Sequence, residues 1–287
     1  MWWHATYNRG CAHGNLTVGV GGIGNASRTG RLILEEDSGA IARMAESPRK
    51  LSWLRAKGGL WATKSGHVKV LEQLSSLRAD MSLPLKDEEA GKTLAHVAAE
   101  SGHLPALSWL LSWRVDISAR DAAAKVQPPL HAAAAAGHVE VLSFLARQRA
   151  DLRARQGNGM QPFEVACGSG HADVLTWLLG LRAPKLDVRG EGGPRSVLAA
   201  AAGGHVRVLE LLARRGARPE SPGGARELLP AHVAAEGGHA EVLAWLAARR
   251  APLDSNDPDG AAPVHKAARG GHLAALEVLG AQGADLR

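Results

Sequence analysis

Cysteine is almost absent from this sequence of 287 residues, since Cys11 and Cys167 are its only two and neither belongs to a CxxC or CxxH cluster. A disulfide framework needs several cysteines, and a structural metal site needs three or four ligands at short spacing. The sequence therefore predicts no disulfide framework, no metal site and no cofactor. Its cysteine usage is typical of a reducing compartment, so we expect a cytoplasmic or nuclear location.

Long apolar runs are absent too. The opening residues, MWWHATYNRGCAHG, contain no stretch long enough for a secretory signal, and no run of about 18 apolar residues occurs anywhere. We therefore expect no export signal and no membrane span. Aromatic residues make up 4% of the chain against 45% hydrophobic residues, which favours helices rich in alanine and leucine.

What the sequence has instead is a repeat. The dipeptide Gly-His occurs seven times, with successive glycines 36, 35, 33, 34, 34 and 33 residues apart. We call these the anchor glycines: Gly66, Gly102, Gly137, Gly170, Gly204, Gly238 and Gly271. Self-similarity at a period near 33 residues predicts a stacked array, in which each unit buries surface only against its neighbours.

Every unit has the same pattern around its anchor. Alanine stands four residues before the glycine, and leucine stands five and eight residues after it, as at Ala133, Leu142 and Leu145 around Gly137. The leucines share one helix face, the alanine lets two helices approach closely, and the glycine ends the first helix. Length varies only in the polar or Gly- and Pro-rich connections, at Pro84–Gly91, Arg153–Gly159, Asp187–Arg195, Pro219–Glu227 and Asp254–Gly260.

The unit is similar to the ankyrin repeat, whose motif has a Thr-Pro-Leu-His start, an Ala-Ala pair, a Gly-His turn and a Gly-Ala-Asp end. It reads best at Pro129–Ala133, Gly137-His138 and Ala150-Asp151. The resemblance covers roughly residues 58–287, about seven units. It implies an all-α repeat solenoid of stacked helix-turn-helix units with protruding β-hairpin-like loops. It also implies a non-enzymatic scaffold for protein–protein interaction.

Some units depart from the motif. Thr93–His96 scrambles the start, Glu164 and Leu198 replace its histidine, and the first unit, Gly58–Met81, lacks most of its leading segment. We expect these changes to loosen the turn hydrogen bonding that the family's threonine and histidine provide.

The N-terminal part lies outside the repeat. Residues 1–37 are predicted to be a flexible extension, and residues 38–57 to form degenerate capping helices. Gly19–Gly24 formally matches the dinucleotide-binding fingerprint, but Asn25–Gly30 leaves no room for the helix whose N-terminus would hold the pyrophosphate. We therefore expect no nucleotide site.

Thirteen histidines invite a catalytic interpretation. Eleven of them recur at two fixed repeat positions, in the Gly-His step or the start motif, and are expected to be structural. No strained nucleophile turn of the GxSxG type occurs. Cys167 takes the second alanine's place in its Ala-Ala pair, which predicts a small buried hydrophobe. We predict no catalytic residue.

The formal charge of +6 is concentrated in arginines at the end of the second helix of each unit, as at Arg149 and Arg250. Cations there complement the helix dipole and bind free carbonyls, which favours a structural role. The alternative is a basic repeat surface that binds RNA or an acidic partner. We expect a protein partner, and no nucleic acid, membrane or small-molecule substrate.

Aromatic residues stand seven residues after the anchor in four units, at Trp109, Phe144, Trp177 and Trp245. This stripe predicts either packing between repeats or an exposed ridge that docks a partner. Trp113 falls off the register and is expected to be exposed.

The resemblance implies that a partner touches the loop tips and the inner face of the first helices. Positions two and five residues before the anchor are small and neutral in the middle units and charged towards both ends, which predicts a groove for a bulky or helical segment. The candidate partner-binding residues are Trp61, Lys64, Glu100, Trp113, Arg155, Arg189, Glu236, Asp257, Lys266 and Arg269.

The chain stops at Arg287, directly after Gly283-Ala284-Asp285. We expect the last helix to leave Leu273 without a following repeat. That would indicate a fragment, a marginal terminal unit or an oligomeric contact.

Overall fold

The computed structural model describes residues 57–77, 91–113, 115, 127–181, 192–224 and 227–283. The predicted extension at residues 1–37 lies outside these ranges, as do the predicted capping helices at residues 38–57 apart from Lys57. Fourteen helices form within the described ranges and alternate between a first and a second helix of each unit. The first helices are α1 Gly59–Ser65, α3 Leu94–Ser101, α5 Pro129–Ala136, α7 Pro162–Gly168, α9 Gly192–Ala202, α11 Pro230–Glu236 and α13 Pro263–Gly270. The second helices are α2 Val68–Ser76, α4 Leu104–Ser112, α6 Val139–Arg147, α8 Ala172–Gly180, α10 Val206–Arg214, α12 Ala240–Ala248 and α14 Leu273–Ala281.

The helices form two layers. Each first helix packs on the first helices of the neighbouring units, and each second helix packs on its own first helix and on neighbouring second helices. The all-α repeat solenoid expected from the sequence is confirmed.

The core follows the pattern around the anchor glycines. The alanine four residues before each anchor is fully buried, and so are the leucines five and eight residues after it, except that Leu276 is half-buried. Burial of one leucine side chain contributes about 2 kcal/mol. Because the pattern is repeated seven times, one continuous cluster runs through the whole stack.

The start of the first helices is fixed by proline and by side-chain caps. Proline is the first residue of α5, α7, α11 and α13, where its fixed φ suits a helix and its missing N–H is not needed. In α3, the Thr93 backbone N–H donates to His96 Nδ1 at 3.0 Å. The scrambled start motif therefore still caps its helix, contrary to our expectation.

Each first helix ends in a tight turn at its anchor glycine, with φ near +75°. At Gly137, for example, φ is +82°, and the following His138 N–H donates to the Ala133 carbonyl at 3.0 Å. This is the six-residue closure of a Schellman motif, which requires a left-handed residue. The predicted role of the anchor glycine is confirmed.

Two of the connections that the structure describes are turned loops. In one of them the Gln156 backbone N–H donates to the Met160 carbonyl at 3.0 Å. In the other the Asp257 backbone N–H donates to the Ala261 carbonyl at 2.9 Å. Within the described ranges no strand forms. Of the β-hairpin-like loops that the sequence predicts, these ranges show an isolated antiparallel bridge between Gly223 and Leu228. One predicted connection, Asp187–Arg195, is wrong at its end because α9 already begins at Gly192.

Glu164 does not loosen its unit. One carboxylate oxygen, Oε2, accepts from the Gln161 N–H at 2.8 Å, as the histidine does in α3. The other, Oε1, lies 3.3 Å from Nε of Arg195, which takes the threonine position in the start motif of the next unit. The substitution therefore keeps the cap and adds an ion pair between units, contrary to the expected loosening. Leu198, the other substitution, is half-buried.

Candidate functional site

The faces available for binding are set by how the units are joined. Nε2 of each Gly-His histidine from the second unit onward donates to the carbonyl two residues before the preceding anchor. The six pairs are His103 with Lys64, His138 with Glu100, His171 with Ala135, His205 with Gly168, His239 with Ala202 and His272 with Glu236, at 2.8–3.0 Å. We call this series the histidine ladder. It joins the first-helix ends of successive units without using the side chains of the residues whose carbonyls it binds.

The ladder also explains why the anchors are glycine. The ring of each histidine lies directly on the preceding anchor, so that a β-carbon added to Gly137 would lie 2.5 Å from His171 Nδ1. A β-carbon on Gly271, the anchor of the seventh unit, would meet nothing within 4 Å. The predicted structural role of the Gly-His histidines is therefore seen for these six.

The exposed side of the first helices is the leading candidate surface. We call it the first-helix face and define it by the residues two before each anchor. Five of these are exposed and two are half-buried. They are Lys64, Glu100, Ala135, Gly168, Ala202, Glu236 and Arg269. The middle of the face is small and neutral, and charge lies towards both ends.

Two neighbouring side chains extend the N-terminal end of this face. Trp61, one turn before Lys64 in α1, is 41% exposed. Glu100 is held by Lys92, whose Nζ lies 2.7 Å from its Oε2. This part of the face combines an accessible indole with a charged pair.

Asp257 and Lys266 were predicted to bind a partner, but the structure buries both side chains. Lys266 Nζ is 2.8 Å from Asp257 Oδ2, and both residues are buried. Asp257 Oδ1 also accepts from the N–H groups of Asp259 and Ala261, at 3.0 and 2.8 Å. The hydrogen bond from Lys266 and these backbone donors lower the pKa of Asp257 to about 2. The pair fixes the last connection to α13, so neither side chain is presented to a partner.

The remaining sequence candidates are scattered. Trp113, at the end of α4, is 54% exposed and stacks on Trp109 with ring centroids 5.6 Å apart. It belongs to the second-helix layer and not to the first-helix face. Arg155 is exposed in a loop, where its Nη1 donates to the Gly159 carbonyl at 2.9 Å. Arg189 lies outside the described residues.

The aromatic stripe on the second helices serves packing. Trp109, Phe144 and Trp177 are half-buried against the core, and Trp245 is 8% exposed. The Arg249 guanidinium lies over the Trp245 ring, 3.9 Å from its centroid, a distance typical of cation–π contact. The interpretation as an exposed ridge is therefore wrong for this stripe.

Sequence reasoning missed the contacts that cross between units. The pairs Glu164–Arg195 and Lys266–Asp257 join residues that no local motif connects. The available signal was an opposite charge at the corresponding edge of the adjacent unit. Such signals are weak in a chain with this many charged residues.

Few groups suited to chemistry converge in the described residues. In that part of the chain, no three His, Cys, Asp or Glu side chains gather as metal ligands. Cys167 is fully buried, and desolvation raises the pKa of its thiol, which opposes nucleophilic use. No helix in the described ranges is long and apolar enough to cross a membrane.

Comparisons with known proteins agree with this architecture. Two family models match, one described as ankyrin repeats in many copies over residues 95–146 and 130–179, the other as ankyrin repeats in three copies over residues 197–287. Together the matched segments span more than half of the chain, so the protein belongs to the ankyrin repeat family. Members of this family are generally protein–protein interaction modules and are typically non-enzymatic.

A solved structure shares the fold. The human ASB11 ankyrin repeat domain superposes with a TM-score of 0.61 at 19% sequence identity, covering 78% of this chain and 96% of that one. No curated protein matches in the sequence search.

Proposed function

We propose that this chain is a non-enzymatic scaffold that binds a protein through its first-helix face, with adjoining loop tips such as the one at Arg155 contributing. The proposal rests on the separate roles of two sets of residues in the first helices. Their alanines and the histidine ladder join the units, whereas five of the seven residues of the first-helix face are exposed.

The composition of the face supports one kind of occupant. The half-buried Ala135 and Gly168 in the middle let a partner backbone approach closely, as small residues do. Charged residues at both ends supply orientation and selectivity more than affinity. A helical or bulky segment, polar at its two ends and apolar in between, fits this distribution.

The test is affinity capture with a charge-reversed variant, Lys64→Glu, Glu100→Lys, Glu236→Lys and Arg269→Glu. All four side chains are exposed, and the net charge is unchanged. Lys266 is left intact because reversing it would break its buried pair with Asp257. Loss of captured proteins from this variant supports the proposal.

The matched control reverses four exposed charges on the second helices, with Lys69→Glu, Glu140→Lys, Arg207→Glu and Glu241→Lys. It too has no change in net charge. Partners that survive the first variant and are lost in this control would contradict binding at the first-helix face. Circular dichroism on both variants confirms that each remains folded.

A further inference from the structure

The ends of the second helices have a feature that the fold does not require. Like the first helices, α6 and α12 close with a Schellman motif, in which the Ala150 and Ala251 N–H groups donate to the carbonyls of Leu145 and Leu246 at 3.0 and 3.1 Å. The residue before each alanine is left-handed. In two described units this residue is arginine, Arg149 with φ +62° and Arg250 with φ +57°.

Left-handed backbone favours glycine, and other described units use it at this position. Gly216 has φ +90° and Gly283 has φ +83°. A side chain with a β-carbon is strained there, and strained residues that persist cluster at functional sites. The two arginines therefore occupy a place where folding alone would select another residue.

The surroundings of these arginines are basic. Arg147 stands two positions before Arg149 at the end of α6, Arg214 and Arg215 end α10, and Arg249 adjoins Arg250. All six are exposed. They stand ten to twelve residues after the anchors of the third, fifth and sixth units, so in units stacked in the same orientation they lie along one edge of the array. We call this edge the arginine edge: Arg147, Arg149, Arg214, Arg215, Arg249 and Arg250.

Helix-dipole and carbonyl interactions account for only part of this edge. Arg215 Nη1 donates to the Leu179 carbonyl of the preceding unit at 3.4 Å, and Arg249 stacks on Trp245. These two have structural roles. Arg147, Arg149, Arg214 and Arg250 make no ion pair with any described carboxylate, so their guanidinium groups can meet an external anion.

We propose that the arginine edge is a second docking surface, distinct from the first-helix face, and that its occupant is an acidic helical segment of a protein. Neighbouring units are packed at the usual distance between helices, so the third and fifth units are roughly 20 Å apart and the fifth and sixth roughly 10 Å. Carboxylates at every seventh position of a helix recur about every 10.5 Å on nearly the same face. An extended strand repeats one face about every 7 Å and misses this register.

The edge fits a nucleic acid less well. Single-stranded nucleic acid binding uses aromatic platforms among the cations, and the tryptophans of the described second helices are packed inward apart from Trp113. The exposed carboxylates of Asp151 and Asp254 follow the arginines and would repel a dense row of phosphates more than carboxylates that recur only about every 10.5 Å along a helix.

The experiment measures binding to the full 287-residue chain by fluorescence anisotropy. The probe is a labelled, alanine-rich helical peptide of about 22 residues with glutamate at every seventh position. Two further probes are a peptide of the same composition with glutamates placed all around the helix, and a single-stranded oligouridylate. Titrations at about 50 mM and about 300 mM salt separate charge-driven binding from the rest.

Two quadruple variants distinguish loss of the arginine edge from a general loss of positive charge. The edge variant carries Arg147→Gln, Arg149→Gln, Arg214→Gln and Arg250→Gln. The control removes four exposed cations elsewhere, with Lys69→Gln, Arg153→Gln, Arg207→Gln and Arg218→Gln. We expect the registered peptide to bind the wild-type chain and the control comparably, and the edge variant about tenfold more weakly at low salt.

A third variant keeps the result independent of folding defects. Arg149→Gly with Arg250→Gly relieves the strained backbone and should bind the registered peptide several-fold more weakly while melting no lower than wild type.

Equal binding of the two peptides would overturn the claim that the occupant is a helix in register with the units. Tighter binding of the oligouridylate, lost in the edge variant, would overturn the class of partner, and equal loss in the edge and control variants would overturn the site. None of these outcomes bears on capture through the first-helix face.

Discussion

Two kinds of helix end in this array have the same backbone and different surroundings. The first helices and the second helices α6, α10 and α12 all finish with a left-handed residue in a Schellman motif. At the end of a first helix, the histidine ring of the next unit lies against that residue. At the end of a second helix, the residue is open to solvent, as Arg149 and Arg250 are exposed.

The difference separates two reasons for using glycine. In the interior first-helix ends, both the conformation and the lack of space require glycine, and every unit has it. In the second-helix ends only the conformation favours it, so the sequence is free to place arginine there at a cost in stability. The ends that join the units are uniform, and the ends that face solvent vary.

The largest expected effect comes from breaking an interior first-helix end. Gly137→Ala strains the left-handed backbone and places a β-carbon 2.5 Å from His171 Nδ1. We expect a loss of about 3 kcal/mol, which adds backbone strain to the cost of overpacking. Urea unfolding followed by circular dichroism measures it, and a loss below about 1 kcal/mol would show that the ladder gives way easily.

The same substitution in the last unit isolates the conformational part. A β-carbon on Gly271 meets nothing within 4 Å, while φ remains +70°. Gly271→Ala should therefore cost only about 1 kcal/mol, the strain of a left-handed alanine. Equal losses for the two alanine variants would mean that the histidine ring adds nothing to the requirement for glycine.

The second-helix ends should respond in the opposite direction. Arg149→Gly and Arg250→Gly each remove a strained side chain, offset in part by glycine's greater freedom in the unfolded chain. We expect a gain of about 0.5 kcal/mol for each, seen as a higher urea midpoint. Arg147→Gly, at a right-handed helical residue, is the control and should instead lose up to about 1 kcal/mol.

Acid should affect the last unit selectively. The pKa of Asp257 is about 2 in the folded chain against 3.8 ordinarily, so its ion pair with Lys266 contributes stability above pH 3.8 that is lost as the pH falls towards 2. Hydrogen exchange should show α13 and α14 opening in this window before α5 and α6. Asp257→Asn should make that difference independent of pH, because Lys266 then lacks its partner at every pH. Simultaneous opening in the unchanged chain would contradict the assignment.

Repeat spacing was sufficient to predict the helices, the buried alanines and leucines and the turns at the anchor glycines, because each depends on contacts that recur at fixed offsets. The sequence did not reveal that Glu164 retains its cap and pairs with Arg195, or that Lys266 is buried against Asp257. Those contacts compensate for departures from the repeat through an adjacent unit, and a pattern defined within one unit carries no trace of them. The start of α9 was missed because Gly192-Gly193-Pro194 resembles a loop in sequence.

The most direct test of the scaffold proposal is hydrogen exchange of the chain with and without a protein that it captures. Binding at the first-helix face predicts added protection in α5, α7, α9 and α11 and in the Gly-His turns that follow them, with α6, α8, α10 and α12 unchanged. Protection confined to α6, α10 and α12 would contradict the proposal, because it would place the partner on the second-helix layer.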